Sequence, residues 1–282
     1  MSGHALGHHN PGHDSLHAHA DDRTGARATQ PWLFDLGNSR LKFAPLLADG
    51  RPGPVLAVAH DGSGFDAGWA DALPARFDSA LLASVAAPAL RVALLEALTR
   101  RCARIVRPCT LPALAGLCIA YADPAALGVD RFLALLGARA RGAGPWLVAG
   151  VGTALTLDLV DAEGLHRGGR IAPSPALMRA SLQARAAQLP ETGGGFHSFA
   201  DNTADALRSG CDGAALALIE RARDDARALL GTAPQLLMPG GGASALAQPP
   251  DGALAAPALV LEGMAVWATT TATDGAHTMP AC

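Results

Sequence analysis

Two stretches of the sequence share one pattern: an apolar strand, a turn of glycine and small polar residues, and a second apolar strand. They are WLFDLGNSRLKFAPL (residues 32–46) and WLVAGVGTALTLDLV (146–160). Apolar runs on both sides of such a turn predict a β-hairpin. Each hairpin is followed by alternating strand-like and helix-like segments. The repeated pattern therefore predicts an α/β fold of two lobes with a cleft between them.

The segments after each hairpin are assigned from hydrophobic periodicity and from the positions of proline and glycine. In the first half we predict strands at 54–60, 79–86 and 104–108, and helices at 88–101 and 123–142. In the second half we predict three strands from Trp146, helices at 175–189 and 203–230, and a strand that enters the glycine turn MPGGGAS (238–244). The lobe boundary falls near 142–145, which gives domains at 31–143 and 144–282.

The composition argues against a nucleic-acid-binding or membrane-spanning protein. The formal net charge is −3 and 4% of the residues are aromatic, which provides neither a basic surface nor rings for base stacking. The most apolar window, 81–98, contains Pro88, Arg91 and Glu96, so we expect no transmembrane helix. The five cysteines lack the spacing of a zinc site or a disulfide framework, and their odd number fits a reducing cytoplasm.

The first 30 residues differ from the rest of the chain. They carry six of the ten histidines and few large apolar side chains, and they lack the apolar central run of a secretory signal. Imidazoles bind transition metals, so a weak metal-binding tail is one interpretation. The other, which we favour, is a disordered extension that cannot form a core.

The turn of the first hairpin has the residue types of an anion-binding site. Gly37 permits close backbone approach, and Asn38 and Ser39 offer short donors beside exposed amides. Asp35 is an acid in an otherwise apolar strand, and beside a phosphate it requires a cation such as Mg²⁺ between the two charges. Lys42 follows on the second strand. An ordinary hairpin turn would explain the same residues.

Two further turns have a similar composition. One is GVGTA, in which Thr153 offers a hydroxyl, and the other is MPGGGAS. Neither is a Walker loop, because no Gly-Lys-Ser/Thr follows. Three glycine-polar turns placed after strands favour a phosphate-binding cleft.

This combination resembles the ASKHA superfamily, the two-lobed ATP-binding fold of acetate and sugar kinases, Hsp70 and actin. Within it, YADPAALGVDRFLALLGARA (121–140) resembles the pantothenate-binding segment of type III pantothenate kinases, whose Gly-x-Asp-Arg motif stands here at 128–131. DLGNSRLK, GTALTLD, GGRIAPS and NTADAL match the same family in the same order. The resemblance covers about residues 31–270.

The resemblance implies ATP-dependent phosphorylation of pantothenate at its primary hydroxyl, the first step of coenzyme A biosynthesis, with Mg²⁺ accompanying ATP. A primary hydroxyl is a poor nucleophile, so the reaction needs a positioned base and neutralised phosphates. The motif assigns the base to Asp130. The implied ATP-binding residues are Asp35, Leu36, Gly37, Asn38, Ser39, Arg40, Leu41, Lys42 and Thr153, with glycines 240–242 near the nucleoside. The implied substrate-binding residues are Tyr121, Gly128, Val129, Asp130, Arg131 and Thr203. The family also implies a homodimer.

Three of these residues have more than one interpretation. Arg131 would pair either with the pantothenate carboxylate or with the transferred phosphate. Tyr121, the only tyrosine of the chain, would otherwise be a half-buried core aromatic. Thr203 suits a helix N-cap as well as a substrate contact.

Two positions depart from the family pattern. Many members have an aspartate at the position of Gly150, where it binds an activating monovalent cation such as K⁺ or NH₄⁺. Glycine offers no side-chain oxygen, so we expect that site to be lost unless Asp158 folds back to replace the missing ligand. Ser174 stands where the family usually has glycine, which would alter the adjoining turn.

Two other functions remain as alternatives. One is a catalytically weak ATP-binding regulatory protein, because one branch of the family was first described as the Bvg accessory factor, which affects transcription. The other is a different ASKHA sugar kinase. The joint presence of Asp35, Lys42, Asp130 and Arg131 favours an active kinase, and the pantothenate-type segment disfavours a sugar substrate.

Overall fold

The computed structural model describes residues 30–241 and 245–274. The predicted N-terminal tail falls almost entirely outside them, as do the last residues of the third glycine turn. Within the described ranges the chain forms two five-stranded sheets and one short hairpin.

The first sheet contains the first predicted hairpin at its centre. Its strands are β1 (Trp32–Leu36), β2 (Arg40–Pro45), β3 (Leu56–Ala59), β4 (Ser79–Ser84) and β5 (Arg104–Val106). Their order is β3-β2-β1-β4-β5, with β1, β2 and β3 antiparallel and with β4 and β5 parallel to β1. The minimal hairpin β6 (Ala113–Leu114) and β7 (Leu117–Cys118) follows.

The second sheet repeats this topology. Its strands are β8 (Trp146–Val151), β9 (Ala154–Val160), β10 (His166–Pro173), β11 (Gln235–Pro239) and β12 (Ala253–Ala256). Their order is β10-β9-β8-β11-β12, with an antiparallel meander followed by two parallel strands. The two sheets therefore share one strand order, and the predicted two-lobed α/β fold is confirmed.

The helices are α1 (Pro88–Thr99), α2 (Val129–Ala140), α3 (Pro175–Gln183), α4 (Thr203–Leu230) and α5 (Leu259–Asp274). The helix predicted at 123–142 begins only at Val129, because Asp123 caps a short 3-10 turn and Gly128 has extended backbone angles. The helix predicted at 175–189 ends at Gln183.

Three apolar clusters hold the sheets and helices together. One face of the first sheet packs its aromatic side chains, including Phe34 and Phe43, against α1. One face of the second sheet packs against α4. The other faces of both sheets share a single cluster with α2 and α5, in which Leu33, Phe132 and Trp146 are all buried. Two helices are therefore common to both lobes.

Helices α2 and α5 cross at very short range. A Cβ atom at Gly137 would lie 3.2 Å from the Gly263 nitrogen, and one at Gly263 would overlap the Leu133 carbonyl oxygen. At the end of α2, Arg141 donates two hydrogen bonds to Glu262, at 2.7 and 2.8 Å. Because α5 follows the second sheet but packs on α2 and β1, a cut near residue 143 does not separate all contacts of the first lobe. The boundary stays a prediction.

No helix within the described ranges is long and apolar enough to cross a membrane. Among the described cysteines, Cys102, Cys118 and Cys211 are free thiols.

Candidate active site

The first candidate element is the tight turn between β1 and β2. The Gly37 amide donates to the Arg40 carbonyl at 3.1 Å, and the side chains of Asn38, Ser39 and Arg40 are exposed at its tip. His60 Nε2 lies 2.9 Å from the Gly37 carbonyl oxygen, so a ring N–H there supports the turn from the third strand. Leu36 and Leu41 flank the turn and are fully buried. Only their backbone groups can face a ligand.

Asp35 and Lys42 stand opposite each other at the base of this turn. Burial raises the pKa of Asp35 to about 6; Lys42 opposes that shift, and the nearby charge of Asp130 adds to it. Burial also lowers the pKa of Lys42, although Asp35 opposes that change. A desolvated acid that senses a second carboxylate is the environment that a bound cation would relieve.

Lys42 connects the first turn with the second lobe. Its Nζ donates to the carbonyl of Pro257, which precedes α5, at 2.9 Å. The same Nζ would be 3.4 Å from a Cβ at Gly240, which follows β11 with a φ of +67°. The structure therefore brings the first turn and the start of the third glycine turn to one place. Residues 242–244 of that turn lie outside the described residues.

Asp130 occupies the second position of α2. Gly128 precedes the helix in an extended conformation, and a Cβ there would lie 2.8 Å from Asp130 Oδ1. The glycine thus leaves space for the carboxylate, while Val129 packs against the shared core. The charge of Asp130 helps to raise the pKa of Asp35, so the acid at the start of α2 acts electrostatically on the acid of β1.

Arg131 faces the opposite way, into the second sheet. Its Nε and Nη2 donate to the two oxygens of Asp158 at 2.8 and 2.6 Å, and its Nη1 lies 3.4 Å from the Tyr121 hydroxyl. Burial favours neutral Asp158, but hydrogen bonds and charge from His166 and Arg131 outweigh it and lower the pKa of Asp158. Tyr121 is half-buried and stacks on the His166 ring. Most of the guanidinium is therefore already engaged by the protein.

The turn of the second hairpin is linked to α3. Thr153 is exposed, and its carbonyl accepts a hydrogen bond from Ser174 Oγ at 3.0 Å. The same Ser174 oxygen accepts from the Leu177 amide at 3.3 Å and so caps α3. Ser174, which stands where the family usually has glycine, thus connects the turn at Thr153 to the N-terminus of α3.

Two sequence-based interpretations are wrong. Thr203 does not cap α4; Asn202 does, accepting from the Asp205 amide at 3.0 Å, while Thr203 is exposed as the first helical residue. Asp158 does not fold back toward Gly150, because Gly150 pairs with Thr156 in the hairpin register and Asp158 binds Arg131 instead.

The sequence analysis did not identify His166 as part of this region. Its side chain is buried, and its Nε2 lies 3.1 Å from Asp158 Oδ1. The available signal was an acid, Asp158, in an otherwise largely apolar strand, followed across the short turn at 161–165 by His166 at the start of the next strand.

The duplicated strand order and the shared helices define a protein of the ASKHA class, in which two lobes meet across glycine turns. A solved structure titled a conserved putative Baf family transcriptional activator, from Campylobacter jejuni, has the same fold. Its TM-score is 0.51 at 20% identity, covering 87% of this chain and all of that one.

A family model described as type III pantothenate kinase matches residues 32–225. Proteins named type III pantothenate kinase from Stenotrophomonas maltophilia (strain R551-3) and Xanthomonas oryzae pv. oryzae (strain PXO99A) are 56% and 55% identical to the chain. The matches cover 84% and 86% of this chain and 96% and 98% of those proteins. The chain belongs to the type III pantothenate kinase family, and the resemblance inferred from its motifs is confirmed.

Proposed function

We propose that the chain transfers the γ-phosphoryl group of Mg-ATP to the primary hydroxyl of pantothenate, giving 4'-phosphopantothenate and ADP at the entry to coenzyme A biosynthesis. The observation that carries this proposal is that Asp130, at the start of α2, acts electrostatically on Asp35, which pairs with Lys42 across the first hairpin. A base, an acid for a metal ion and a cation for phosphate would thus act together beside the first turn.

In this proposal Asp130 is the general base. It accepts the proton of the hydroxyl while the hydroxyl oxygen bonds to the γ-phosphorus and the bond to the β–γ bridging oxygen breaks. Gly128 leaves the carboxylate room beside the backbone. Tyr121, Val129, Arg131 and Thr203 complete the substrate-binding set, with Arg131 held ready by Asp158.

The ATP-binding set is the turn from Asp35 to Lys42 together with Thr153. The exposed tip at Asn38, Ser39 and Arg40 offers backbone amides and short side chains to phosphate. Lys42 supplies positive charge. These groups would line the predicted cleft between the two lobes and bind a single nucleotide there.

The donor set fits Mg²⁺. Within residues 30–241 and 245–274, no group of three or more His, Cys, Asp or Glu side chains is arranged as a metal cluster. Mg²⁺ is commonly held by one or two carboxylates together with substrate phosphates, so Asp35, with Asp130 nearby, is sufficient. The ion would neutralise phosphate charge during transfer.

Three further features belong to the proposal. The protein works as a homodimer in the cytoplasm, and it depends little on K⁺ or NH₄⁺ because Gly150 lacks a ligand oxygen. The regulatory alternative is not favoured, because relatives of 55–56% identity over most of the chain are named as kinases.

The proposal is tested by assaying purified protein with Mg-ATP, with and without pantothenate. Asp130→Asn should lower turnover by about 10²- to 10⁴-fold, the usual cost of removing a general base. ATP affinity, measured by calorimetry, should change little. Asp224→Asn is the matched control, since Asp224 is exposed on α4. A wild type that does not phosphorylate pantothenate, or an Asp130→Asn variant with nearly normal turnover, would refute the proposal.

A further inference from the structure

Four side chains, three of them buried and Tyr121 half-buried, form a chain of contacts at the proposed substrate site. Arg131 binds Asp158 through two hydrogen bonds, Asp158 also contacts His166, and the His166 ring stacks on Tyr121 with centroids 5.9 Å apart and an angle of 23° between the planes. Arg131 and Tyr121 are proposed substrate contacts. Asp158 and His166 lie behind them, on the second sheet.

The space around the ion pair is filled by protein. A Cβ at Gly169 would lie 2.6 Å from Arg131 Nη2 and would also overlap Asp158 Oδ1. Arg131 retains 9%, Asp158 2% and His166 1% of their exposure. Hydrogen bonds among groups so poorly exposed are little weakened by water, so each one strongly restricts the orientation of its partners.

His166 has one hydrogen-bonding role in this arrangement. Its Nε2 faces a carboxylate that only accepts, so Nε2 carries the hydrogen and donates it. Its Nδ1 is buried and has no partner among the described residues. The His166 ring therefore donates one hydrogen bond, to Asp158, and stacks on Tyr121. In the described part of the chain it has no other hydrogen-bond partner.

We propose that His166 is a positioning residue, which holds the Arg131 guanidinium in a single orientation, beside Tyr121, through Asp158. The donated bond occupies the third acceptor position of the Asp158 carboxylate and prevents the carboxylate from rotating. A carboxylate that cannot rotate then restricts the orientation of the Arg131 guanidinium, which is bound to both of its oxygens. The expected change in the KM for pantothenate rests on the proposed function, whereas the positioning of Arg131 does not.

The kinetic test compares His166→Phe with His166→Gln. Phe keeps an aromatic ring beside Tyr121 and removes the donor, whereas the Gln amide nitrogen reaches about as far as Nε2 and keeps it. His166→Phe should raise the KM for pantothenate about tenfold, the order expected for one lost hydrogen bond to a charged group. The KM for ATP should stay nearly constant, and His166→Gln should restore the pantothenate KM toward the wild-type value.

Two controls separate positioning from general damage. Leu157→Ala removes a buried side chain of β9 that packs toward α4, on the other face of the sheet from Asp158. It should lower stability without changing the pantothenate KM. If His166→Phe does not fold, His166→Asn replaces it, since its amide is too short to reach Asp158.

A spectroscopic measurement tests the same inference without substrate. The Arg131 Nε–H resonance, assigned by its loss in Arg131→Lys, should exchange slowly in the wild type and in His166→Gln, and it should broaden in His166→Phe or His166→Asn. An unchanged resonance, or equal rises in both KM values, would overturn the positioning role. Failure of the wild type to use pantothenate would refute the proposed function alone.

Discussion

The buried carboxyl group of Asp35 reduces the stability of the ligand-free protein when it is ionised. Burial and the charge of Asp130 raise its pKa to about 6 although Lys42 stands opposite. A carboxyl group whose pKa is higher in the folded than in the unfolded state makes no difference to stability below the unfolded pKa. It costs stability progressively as the pH rises from the unfolded pKa to the folded pKa, and the full cost remains above that pH.

Asp35→Asn should therefore stabilise the ligand-free protein at neutral and alkaline pH. The gain should be about 1–3 kcal/mol above pH 7, since one pKa unit corresponds to about 1.4 kcal/mol, and it should vanish as the pH falls below the unfolded pKa near 4. Thermal unfolding of both proteins at pH 8 and pH 4 measures the difference. A gain that is equal at both pH values would show that Asp35 does not carry this cost.

Gly150 leads to a prediction about monovalent cations. It pairs with Thr156, and a Cβ there would lie 2.8 Å from Thr156 Oγ1. Asp158, the only replacement considered from sequence, is bound to Arg131. Turnover should be equal in Na⁺, K⁺ and NH₄⁺ buffers of the same ionic strength. Gly150→Asp, assayed beside it, should acquire a cation response only if Thr156 turns away. A strong K⁺ requirement in the wild type would contradict the prediction.

At the residue level, the sequence indicated candidate site residues, but it did not indicate which side chains they contact. Asp35, Lys42 and Asp130 were predicted from their motifs and stay predicted site residues, with Asp35 paired to Lys42 in the hairpin and subject to the charge of Asp130. The pairing of Arg131 with Asp158 was missed because it joins α2 to β9 over 27 positions, and no local pattern reports such a contact. The cap of α4 was misplaced by one residue, since Asn202 and Thr203 both have capping side chains.

At the scale of elements, the α2–α5 crossing depends on two glycines. Gly263→Ala places a methyl group against the Leu133 carbonyl, which is helix backbone and cannot rotate away. Overpacking of this kind costs about 1–3 kcal/mol. We expect a net loss of stability in urea, even though alanine favours helices by about 1 kcal/mol over glycine.

Gly213→Ala on α4 is the matched control for this prediction. No heavy atom lies within 4 Å of a Cβ at Gly213. The same substitution in a helix should there raise stability by about 1 kcal/mol, the difference in helix propensity. If both variants changed stability in the same direction, the crossing would not be the cause.

The elements themselves were predictable where their pattern was long. Both hairpins and α4 follow from apolar periodicity and turn residues, and the structure has them within a few residues of the predicted bounds. The β6–β7 hairpin and β12 were missed, because strands of two to four residues are too short to show alternation. The start of α2 was placed too early because Asp123 and Pro124 begin a 3-10 turn instead.

At the scale of the whole molecule, exposed apolar side chains stand on β10 and in the segment that precedes α4. Phe199 is 99% exposed and Ile171 on the edge strand β10 is 66% exposed. A groove of about 430 Å³ between α3 and α4 is lined by apolar side chains that include Met178, Leu182 and Leu207. Exposed apolar surface of this kind often marks a contact with another protein. It supports the proposed homodimer.

Sedimentation at micromolar concentration should give twice the chain mass of 28.6 kDa. Phe199→Ser should weaken the association, because it removes the most exposed aromatic side chain of this surface. Val92→Ser, which changes an exposed side chain on α1 in the other lobe, should not. A monomeric wild type, or equal effects of the two substitutions, would contradict a dimer through this face.

The position of α5 also has a consequence for biosynthesis. A ribosome completes both sheets before it releases α5, yet α5 covers the face of α2 and β1 in the first lobe. Domains usually fold from the N-terminus as they emerge, but here the first lobe must wait with Leu133 and its neighbours uncovered. The proposed base Asp130 is therefore set in place only after α5 has been synthesised, and we expect a messenger broken before codon 259 to yield no active fragment.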